Sequence, residues 1–259
     1  MLNFFKLSIN ETGVATVTFD RPPVNAVSQQ VYLEIRELCN EIEASDRARV
    51  VVLTAPPGAR AWCGGADLGD FMQLDGDSRK ERYALINECL PCLHRLNRPV
   101  IAAMNGSAMG VGMVIASFCD IRIAADDAFF GLPEIDRGVV AGGGSFFSRL
   151  SMPEGLIREM LYTGRRFSAE ELRASGFFND IVPRDQVLKR SMTLAETIAG
   201  KSLPALQANK ICAVAAETLP MMDAYKLAQG YASKLTAMSD SKEGIRAFLE
   251  KRPPEYGDV

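Results

Sequence analysis

The chain has 259 residues, of which 47% are hydrophobic, so it can bury a large core in one domain or in one domain with a small appendage. Its 29 basic and 32 acidic residues give a formal net charge of -3, which argues against nucleic acid or an acidic membrane as a partner. Neither an apolar run of about 18 residues nor a secretory leader is recognisable, so we expect a cytoplasmic protein without membrane contact.

The first predicted elements alternate between strands and a helix. Residues 4–8 and 14–19 alternate apolar with polar side chains around a short turn, which predicts an antiparallel hairpin. Ser28 suits the N-cap of an amphipathic helix that runs to Ile42, and residues 50–54 predict a buried strand. This order begins a β-α-β pattern.

The next elements continue the alternation. A loop of small residues at 61–68 leads into a charged segment at 72–82, which we expect to be either a mobile lid or a surface turn. The elements after it are predicted as a helix at 83–96, a buried strand at 100–104, a short helix at 110–118 and a third buried strand at 121–124.

Cysteine and histidine are poorly placed for metal or redox chemistry. Cys89 and Cys92 have the spacing of a metal or redox pair, but no second such pair exists and His94 is the only histidine. We therefore expect no metal site and no disulfide framework, with the cysteines packed as small apolar side chains. A Ser-His-Asp mechanism would need His94 to reach the functional pocket, which its position in a predicted helix disfavours.

After Pro133 the predicted elements are helical. Residues 153–154 begin one helix, and Ser168 with Glu171 fits a capping box for another. We therefore predict an α/β domain at residues 1–150 and a helical region at 151–259. The second region has too little visible core to stand alone and is expected to pack on its own domain and on neighbouring subunits.

Two loops rich in small residues each follow a predicted buried strand. The first covers residues 61–68 (AWCGGADL), and the second covers 106–113 (GSAMGVGM), where the helix at 110–118 begins. Small side chains let a ligand approach the backbone closely, and unpaired N–H groups at a helix start favour negative charge. The pair predicts a pocket for an oxyanion; the alternative is two glycine turns that only pack together.

These loops, with residues 119–124 (CDIRIA) and 130–135 (FGLPEI), resemble the crotonase, or enoyl-CoA hydratase/isomerase, superfamily in order and spacing. Further similar segments lie at 21–26 (RPPVNA), 159–166 (EMLYTGRR) and 243–252 (EGIRAFLEKR), so the resemblance spans nearly the whole chain. It implies an α/β fold, with a ββα spiral core and a C-terminal α-helical oligomerisation region, in a homotrimer or a dimer of trimers. It also implies an acyl-CoA thioester as substrate, with no cofactor beyond the coenzyme A that the substrate carries.

The resemblance implies an enolate mechanism. The N–H groups of Ala66 and Val111 would hold the thioester oxygen as it becomes anionic, and Glu134 would act as the general acid/base. Val111 stands where family members usually have glycine. A valine at this position must have a negative φ, because a positive φ would strain it. Apolar neighbours are expected to raise the pKa of Glu134; the alternative is an exposed glutamate in a Pro-Glu turn.

One departure from the family pattern bears on the reaction. Hydratases of the superfamily use a second glutamate, and Val114 takes its place here, where it can neither activate water nor carry a proton. This favours isomerisation over hydration, because one base can take a proton from C2 of a 3-enoyl thioester and return it at C4. Asp136 is a candidate for a second carboxylate, or it forms a surface ion pair with Arg137.

Two alternatives to isomerisation stay open. The first is a ring-opening hydrolase of a cyclic β-diketone acyl-CoA, since such members of the superfamily also use a glutamate near the position of Glu134. The second is a non-catalytic paralogue that binds acyl-CoA or RNA. Net acidity argues against RNA, and the presence of Glu134 argues against loss of catalysis.

For coenzyme A, the resemblance implies backbone contacts to adenine at Gly64 and Leu68, and pantetheine along Asn25 and Ala26. Phe248 and Lys251 match positions that reach the adenosine end from a neighbouring subunit, where lysine supplies a point charge for a phosphate. The alternative for these last two is a solvent-exposed C-terminal helix.

Overall fold

The chain winds as a repeated strand-strand-helix unit in a computed structural model, which describes residues 2–143, 147, 150 and 152–257. The first strand, β1 (Phe5–Ile9), precedes four such units. The first unit has β2 (Val14–Phe19), β3 (Ala26–Val27) and α1 (Gln29–Glu43), and the second has β4 (Val50–Thr54), β5 (Gly65–Ala66), α2 (Leu68–Met72), α3 (Gly76–Cys89) and α4 (Pro91–Arg95). The third unit has β6 (Val100–Met104), β7 (Ala108–Met109) and α5 (Val111–Phe118), and the fourth has β8 (Ile121–Ala125), β9 (Phe129–Gly131) and a 3₁₀ turn (Pro133–Arg137) in place of a helix. The second strand of each unit is short and lies outside the large sheet, which confirms the predicted α/β class.

The remaining elements add strands as well as helices. They are α6 (Glu154–Thr163), β10 (Phe167–Ser168), a 3₁₀ turn (Arg173–Ser175), β11 (Asp180–Val182), a 3₁₀ turn (Arg184–Gln186), α7 (Val187–Ala199), α8 (Leu203–Ala216), α9 (Met221–Thr236) and α10 (Ser239–Glu250). The prediction that this part is wholly helical is therefore wrong for β10 and β11. Strands of two or three residues are too short to show a period of two.

The large sheet has the strand order β1-β2-β4-β6-β8-β11. β1 and β2 form the predicted antiparallel hairpin, and the other neighbours run parallel. β4 and β6 are buried at every residue, as expected of parallel strands covered on both faces. On one face, α7 lies across β2, β4, β6 and β8.

The predicted boundary between the domain at 1–150 and the region at 151–259 falls at Ser151, which lies outside the described residues. β10 pairs with β9, and β11 pairs with β8. The sheets are thus built from chain on both sides of that point.

The segment at 72–82 is ordered by helices. α3 begins in it, where Asp75 accepts a hydrogen bond from the Ser78 N–H at 2.9 Å and donates its own N–H to the Ser78 hydroxyl at 3.0 Å. The segment that was expected as a mobile lid or a surface turn thus contains the capped start of a helix. The predicted capping box of Ser168 and Glu171 also forms, but it is followed by the short 3₁₀ turn at Arg173–Ser175 and not by an α-helix. Gly176, at φ 75, ends that 3₁₀ turn.

The C-terminal helices expose large apolar side chains. Those on α9 and α10 are Met221, Met222, Tyr225, Ile245, Phe248 and Leu249. Such a surface suits packing on neighbouring subunits, which stays a prediction. Across the described residues, no helix combines the length and the apolar character that a membrane crossing requires.

Candidate active site

Ala66 lies on β5, which pairs in parallel with β3 so that Val27 faces Ala66. The Asp67 N–H donates to the Val27 carbonyl at 2.9 Å. Because successive residues of a strand turn their N–H groups to opposite sides, the Ala66 N–H points away from β3. A donor directed out of the ladder in this way can serve a ligand.

Val111 is the first residue of α5 and follows Gly110, which has φ 52. Among the described residues other than glycine, Asn25 and Lys251 alone have a positive φ, so the φ of Val111 is not positive. The valine therefore fits its position without strain. Its N–H is among the first helical amides, which have no acceptor inside their own helix.

The two loops that carry these amides are pressed together. The Trp62 and Cys63 N–H groups donate to the Ser107 carbonyl at 3.0 and 3.2 Å, and the Met109 N–H donates to the Cys63 carbonyl at 3.0 Å. A Cβ added to Gly112 would lie 2.7 Å from that same carbonyl oxygen. The structure thus brings both loops into contact, whereas convergence of the Ala66 and Val111 N–H groups on one oxygen stays a prediction.

Glu134 lies on the 3₁₀ turn after β9, with its carboxylate at the start of α5. A Cβ added to Gly110 would be 2.7 Å from Glu134 Oε1, and Oε2 is buried without a hydrogen-bond partner among the described residues. Burial raises the pKa of the carboxyl group, an effect that its own backbone N–H and the charge of Arg137 partly oppose. A half-buried carboxyl with a raised pKa suits a general acid/base.

Val114 is buried beneath Gly143. It is 8% exposed, and a Cβ added to Gly143 would come only 2.2 Å from its Cγ2. Gly143 therefore covers the position at which the resemblance places the second glutamate of hydratases. A charged side chain there would have to be buried and would displace this backbone.

Asp136 is turned toward another part of the molecule. Its carboxylate lies at the end of α6, where a Cβ added to Gly164 would be 3.0 Å from Oδ1 and 3.1 Å from Oδ2. In a 3₁₀ turn, residues two apart point about 120° from one another, so Asp136 and Glu134 leave the turn in different directions. Asp136 is also exposed.

Asn25 and Ala26 lie in a turn that the Asn25 side chain joins to the first of the two loops. Asn25 is 3% exposed and has φ 53; its Oδ1 accepts the Arg21 N–H at 2.8 Å, and its Nδ2 donates to the Ala61 and Trp62 carbonyls at 3.1 and 3.3 Å. The Ala26 carbonyl accepts from the Arg21 guanidinium at 3.0 Å. Asn25 thus acts on the loop structure, and pantetheine contact here stays a prediction.

Asn25→Ala is expected to lower the free energy of unfolding by about 2 to 4 kcal/mol, because it leaves buried polar groups unpaired and puts alanine at positive φ. Chemical denaturation measures the change. Asn25→Gly is the control, since glycine accepts this φ and isolates the loss of the hydrogen bonds. An Asn25→Ala variant as stable as the wild type would contradict this role.

Sequence patterns missed the ion pair of Arg21 with Asp67. Arg21 Nη2 lies 2.6 Å from Asp67 Oδ2, and Asp67 caps α2 by accepting the Gly69 N–H at 2.9 Å. Although burial acts in the opposite direction, these hydrogen bonds lower the pKa of Asp67. The pair fixes the residue next to Ala66, but the sequence offers no signal that joins positions so far apart.

The predicted coenzyme residues are spread over two regions. The Gly64 N–H donates to the Val24 carbonyl at 2.8 Å, so an adenine contact there would have to use the Gly64 carbonyl, while Leu68 is half exposed at the start of α2. Phe248 is 82% exposed on α10, beside a cleft of about 410 Å³, and Lys251 ends that helix at φ 55.

His94, the only histidine, lies apart from this site, whereas Cys63 belongs to the first of its two loops. The His94 Nε2 is 3.0 Å from Glu217 Oε2, next to α8, and its ring lies near Phe118, at the opposite end of α5 from Val111. All six cysteines are free thiols. In the part of the chain that the structure describes, no group of three or more metal-binding side chains is assembled.

Comparison with known proteins gives a consistent set of relatives. A family model described as enoyl-CoA hydratase/isomerase matches residues 9–259. Carnitinyl-CoA dehydratase of Proteus mirabilis is 33% identical over 94% of this chain and 95% of its own. A (7aS)-7a-methyl-1,5-dioxo-2,3,5,6,7,7a-hexahydro-1H-indene-carboxyl-CoA hydrolase of Rhodococcus jostii is 29% identical over 93% of both chains. The crystal structure of an enoyl-CoA hydratase from Bacillus anthracis superposes with a TM-score of 0.92 and 28% identity, over 98% of this chain and 99% of that one.

Proposed function

The chain belongs to the enoyl-CoA hydratase/isomerase family, within the crotonase superfamily, and from that premise we propose that it isomerises an enoyl-CoA thioester with Glu134 as its single acid/base. Family membership makes the protein an acyl-CoA-processing enzyme. The choice of isomerisation rests on one observation: the Glu134 carboxylate lies at the start of α5, while the position of a second glutamate is an enclosed valine, Val114.

The proposed reaction moves one proton. The Glu134 carboxylate takes a proton from C2 of a 3-enoyl thioester, and the electron pair of that C–H bond passes to the thioester oxygen to give a dienolate. The Ala66 and Val111 N–H groups hold this oxyanion. The electrons then return, Glu134 gives the proton to C4, and a 2-enoyl thioester is formed.

Hydration would need two groups with different tasks. One would remove a proton from water while the other manages the proton at C2. Glu134 can do only one of these at a time. The carboxylate of Asp136 lies beside Gly164, so the proposed mechanism does not use it as the second catalytic group.

The products of three substrate classes test the proposal. The protein is incubated with 2-enoyl, 3-enoyl and cyclic β-diketone CoA thioesters, and the products are weighed by mass spectrometry. Isomerisation leaves the mass unchanged and moves the double bond, whereas hydration and ring opening each add one water. A product heavier by one water from the 2-enoyl thioester would overturn isomerisation in favour of hydration.

Ring opening is the second candidate, because the name of the Rhodococcus jostii relative gives a dioxo bicyclic thioester as the compound that it hydrolyses. Glu134 would activate the water in that case. Release of an opened-ring acid from the cyclic thioester, without isomerisation of the 3-enoyl thioester, would favour it.

For the coenzyme, we propose backbone contacts at Leu68 and contacts to the adenosine end from Phe248 and Lys251 of a neighbouring subunit in a homotrimer or dimer of trimers. The exposure of Phe248 and the apolar surfaces of α9 and α10 support this arrangement. A monomer in light scattering that still binds acyl-CoA at full affinity would contradict it.

The pH dependence of kcat/KM is expected to follow the ionisation of the Glu134 carboxyl group. Its carboxylate form is needed to take the C2 proton, so kcat/KM is expected to rise with pH through the raised pKa of this group. Burial places that midpoint above the ordinary value of 4.5. Initial rates with a 3-enoyl thioester, measured where the protein stays folded, check this; an acidic limb centred at or below 4.5 would contradict it.

A further inference from the structure

Arg184 connects the carboxyl ends of three parallel strands of the large sheet. It follows β11 by two residues, Asp127 follows β8 by two, and Asn105 directly follows β6. The Arg184 Nε lies 3.0 Å from each carboxylate oxygen of Asp127, and Nη1 donates to the Asn105 carbonyl at 2.8 Å. Ligands of parallel sheets bind at this edge, yet the proposed mechanism gives this arginine no task.

The guanidinium group of Arg184 also lies against Gly106, the first residue of the second loop. A Cβ added to Gly106 would be 3.3 Å from Arg184 Nη1 and 2.8 Å from the backbone nitrogen of Trp62. Trp62 belongs to the first loop. Gly106 is thus in close contact with the guanidinium and with the backbone of the other loop at the same time.

Short backbone contacts link Gly106 to the proposed oxyanion donors. Ser107, the next residue, accepts the Cys63 N–H on its carbonyl at 3.2 Å. Cys63 precedes Ala66 by three residues, and Val111 follows Ser107 by four. A shift of Gly106 therefore changes how the two loops meet, close to both amides.

The start of the second loop is held from two directions. On the β4 side, Asn105 Nδ2 donates to the Ala55 carbonyl at 2.8 Å, and Asn105 Oδ1 accepts the Ala55 N–H at 3.3 Å. On the β11 side, Arg184 binds the Asn105 carbonyl. The side chains of Arg184 and Asp127 are 38% and 57% exposed, and such ion pairs contribute little to stability. Replacement of Arg184 is therefore expected to leave the protein folded.

We propose that Arg184 is a positioning residue, which holds the second loop on the first at the spacing that the oxyanion site requires. The inference rests on the proposed function, because that function places the thioester oxygen between the Ala66 and Val111 amides. Arg184 acts through the backbone of Asn105 and Gly106 and takes no part in proton transfer. Without its guanidinium group, the second loop is less restrained where it begins, and a displacement of about 1 Å is enough to weaken a site of this kind.

Two CoA thioesters of equal acyl length separate this role from catalysis. Acetoacetyl-CoA ionises to an enolate whose negative charge reaches the thioester oxygen, whereas the thioester of butyryl-CoA stays neutral. The wild type is expected to bind acetoacetyl-CoA more tightly in calorimetric titrations. Arg184→Met is expected to reduce that preference about 10-fold, with the Kd of butyryl-CoA unchanged. The ultraviolet absorption of the bound enolate is expected to decrease in the same variant.

Arg190→Met is the matched control. Arg190 Nε lies 2.8 Å from Asp180 Oδ2, and its side chain is 44% exposed, but this pair lies at the opposite end of β11 from Arg184. The control is expected to keep the wild-type preference, and Arg184→Lys, which keeps the charge and a donor, to retain part of it.

The outcomes distinguish this inference from the function on which it rests. A preference that is present in the wild type and unchanged in Arg184→Met would overturn the positioning role alone, as would an equal loss in Arg190→Met. A wild type that binds both thioesters equally would overturn the oxyanion site and the positioning role together. Absence of isomerisation would leave the affinity ratios measurable.

Discussion

Glu134→Gln is expected to lower kcat for isomerisation of a 3-enoyl thioester by about 100- to 10,000-fold, the range for loss of a general base. Glutamine has the size of glutamate and can occupy the same place beside Gly110, but it cannot take the C2 proton. The Kd of a saturated acyl-CoA is expected to change little, because the coenzyme is held elsewhere. Product formation and calorimetric titration measure the two quantities.

Protein stability provides the control for this variant. Because burial raises the folded-state pKa of Glu134 above 4.5, the stability that the protonated carboxyl contributes is fully present below 4.5 and is lost as pH rises through the raised pKa. Glutamine carries no charge, so Glu134→Gln is expected to be at least as stable as the wild type at neutral pH. A stable variant with wild-type kcat would remove Glu134 from the mechanism.

Gly112→Ala is expected to lower kcat by about 100-fold or more, the range for loss of one oxyanion donor, and to destabilise the fold. Its Cβ would lie 2.7 Å from the Cys63 carbonyl oxygen and 2.9 Å from the Cys63 Cβ. Neither atom belongs to a flexible side-chain end, so the loop of Val111 must move away from the loop of Ala66. Steady-state kinetics and denaturant unfolding measure the two effects.

Gly155→Ala is the matched control for that substitution. Gly155 lies near the start of α6 with open space where a Cβ would be added, so alanine there is expected to change stability by no more than about 1 kcal/mol and to leave kcat unchanged. If Gly112→Ala kept both wild-type kcat and wild-type stability, close apposition of the two loops would be irrelevant to the reaction.

Long periodic elements were predictable from the sequence because their side-chain pattern repeats several times. The hairpin of β1 and β2, the helix α1 and the buried strands β4 and β6 were all predicted close to their observed bounds. The predicted helix at 83–96 is instead divided between α3 and α4, because Pro91 starts a new helix at its first position. β10 and β11 were missed because their pairing partners, not their own residues, make them strands.

The candidate site was only partly predictable. Motif resemblance assigned roles to Glu134, Ala66 and Val111, and those roles stay predictions. The small residues at 110 and 112 indicated a close approach to other parts of the chain, which the structure shows. The contact of Gly143 with Val114 and the ion pair of Arg21 with Asp67 join residues that are distant in sequence. Such contacts depend on the complete fold. Likewise, nothing in the charged segment at 72–82 distinguishes buried Arg82 from exposed Lys80.

The most direct measurement follows a deuterium label at C2 of a 3-enoyl thioester through one turnover. With two deuterons at C2, removal of one by a single carboxyl group predicts that one deuteron leaves C2 and appears at C4 or in the solvent while the other stays at C2. The 2-enoyl product has then gained no water. Glu134→Gln should suppress this transfer. Retention of both deuterons at C2, or a product heavier by one water molecule, would contradict isomerisation by a single carboxyl group at this site.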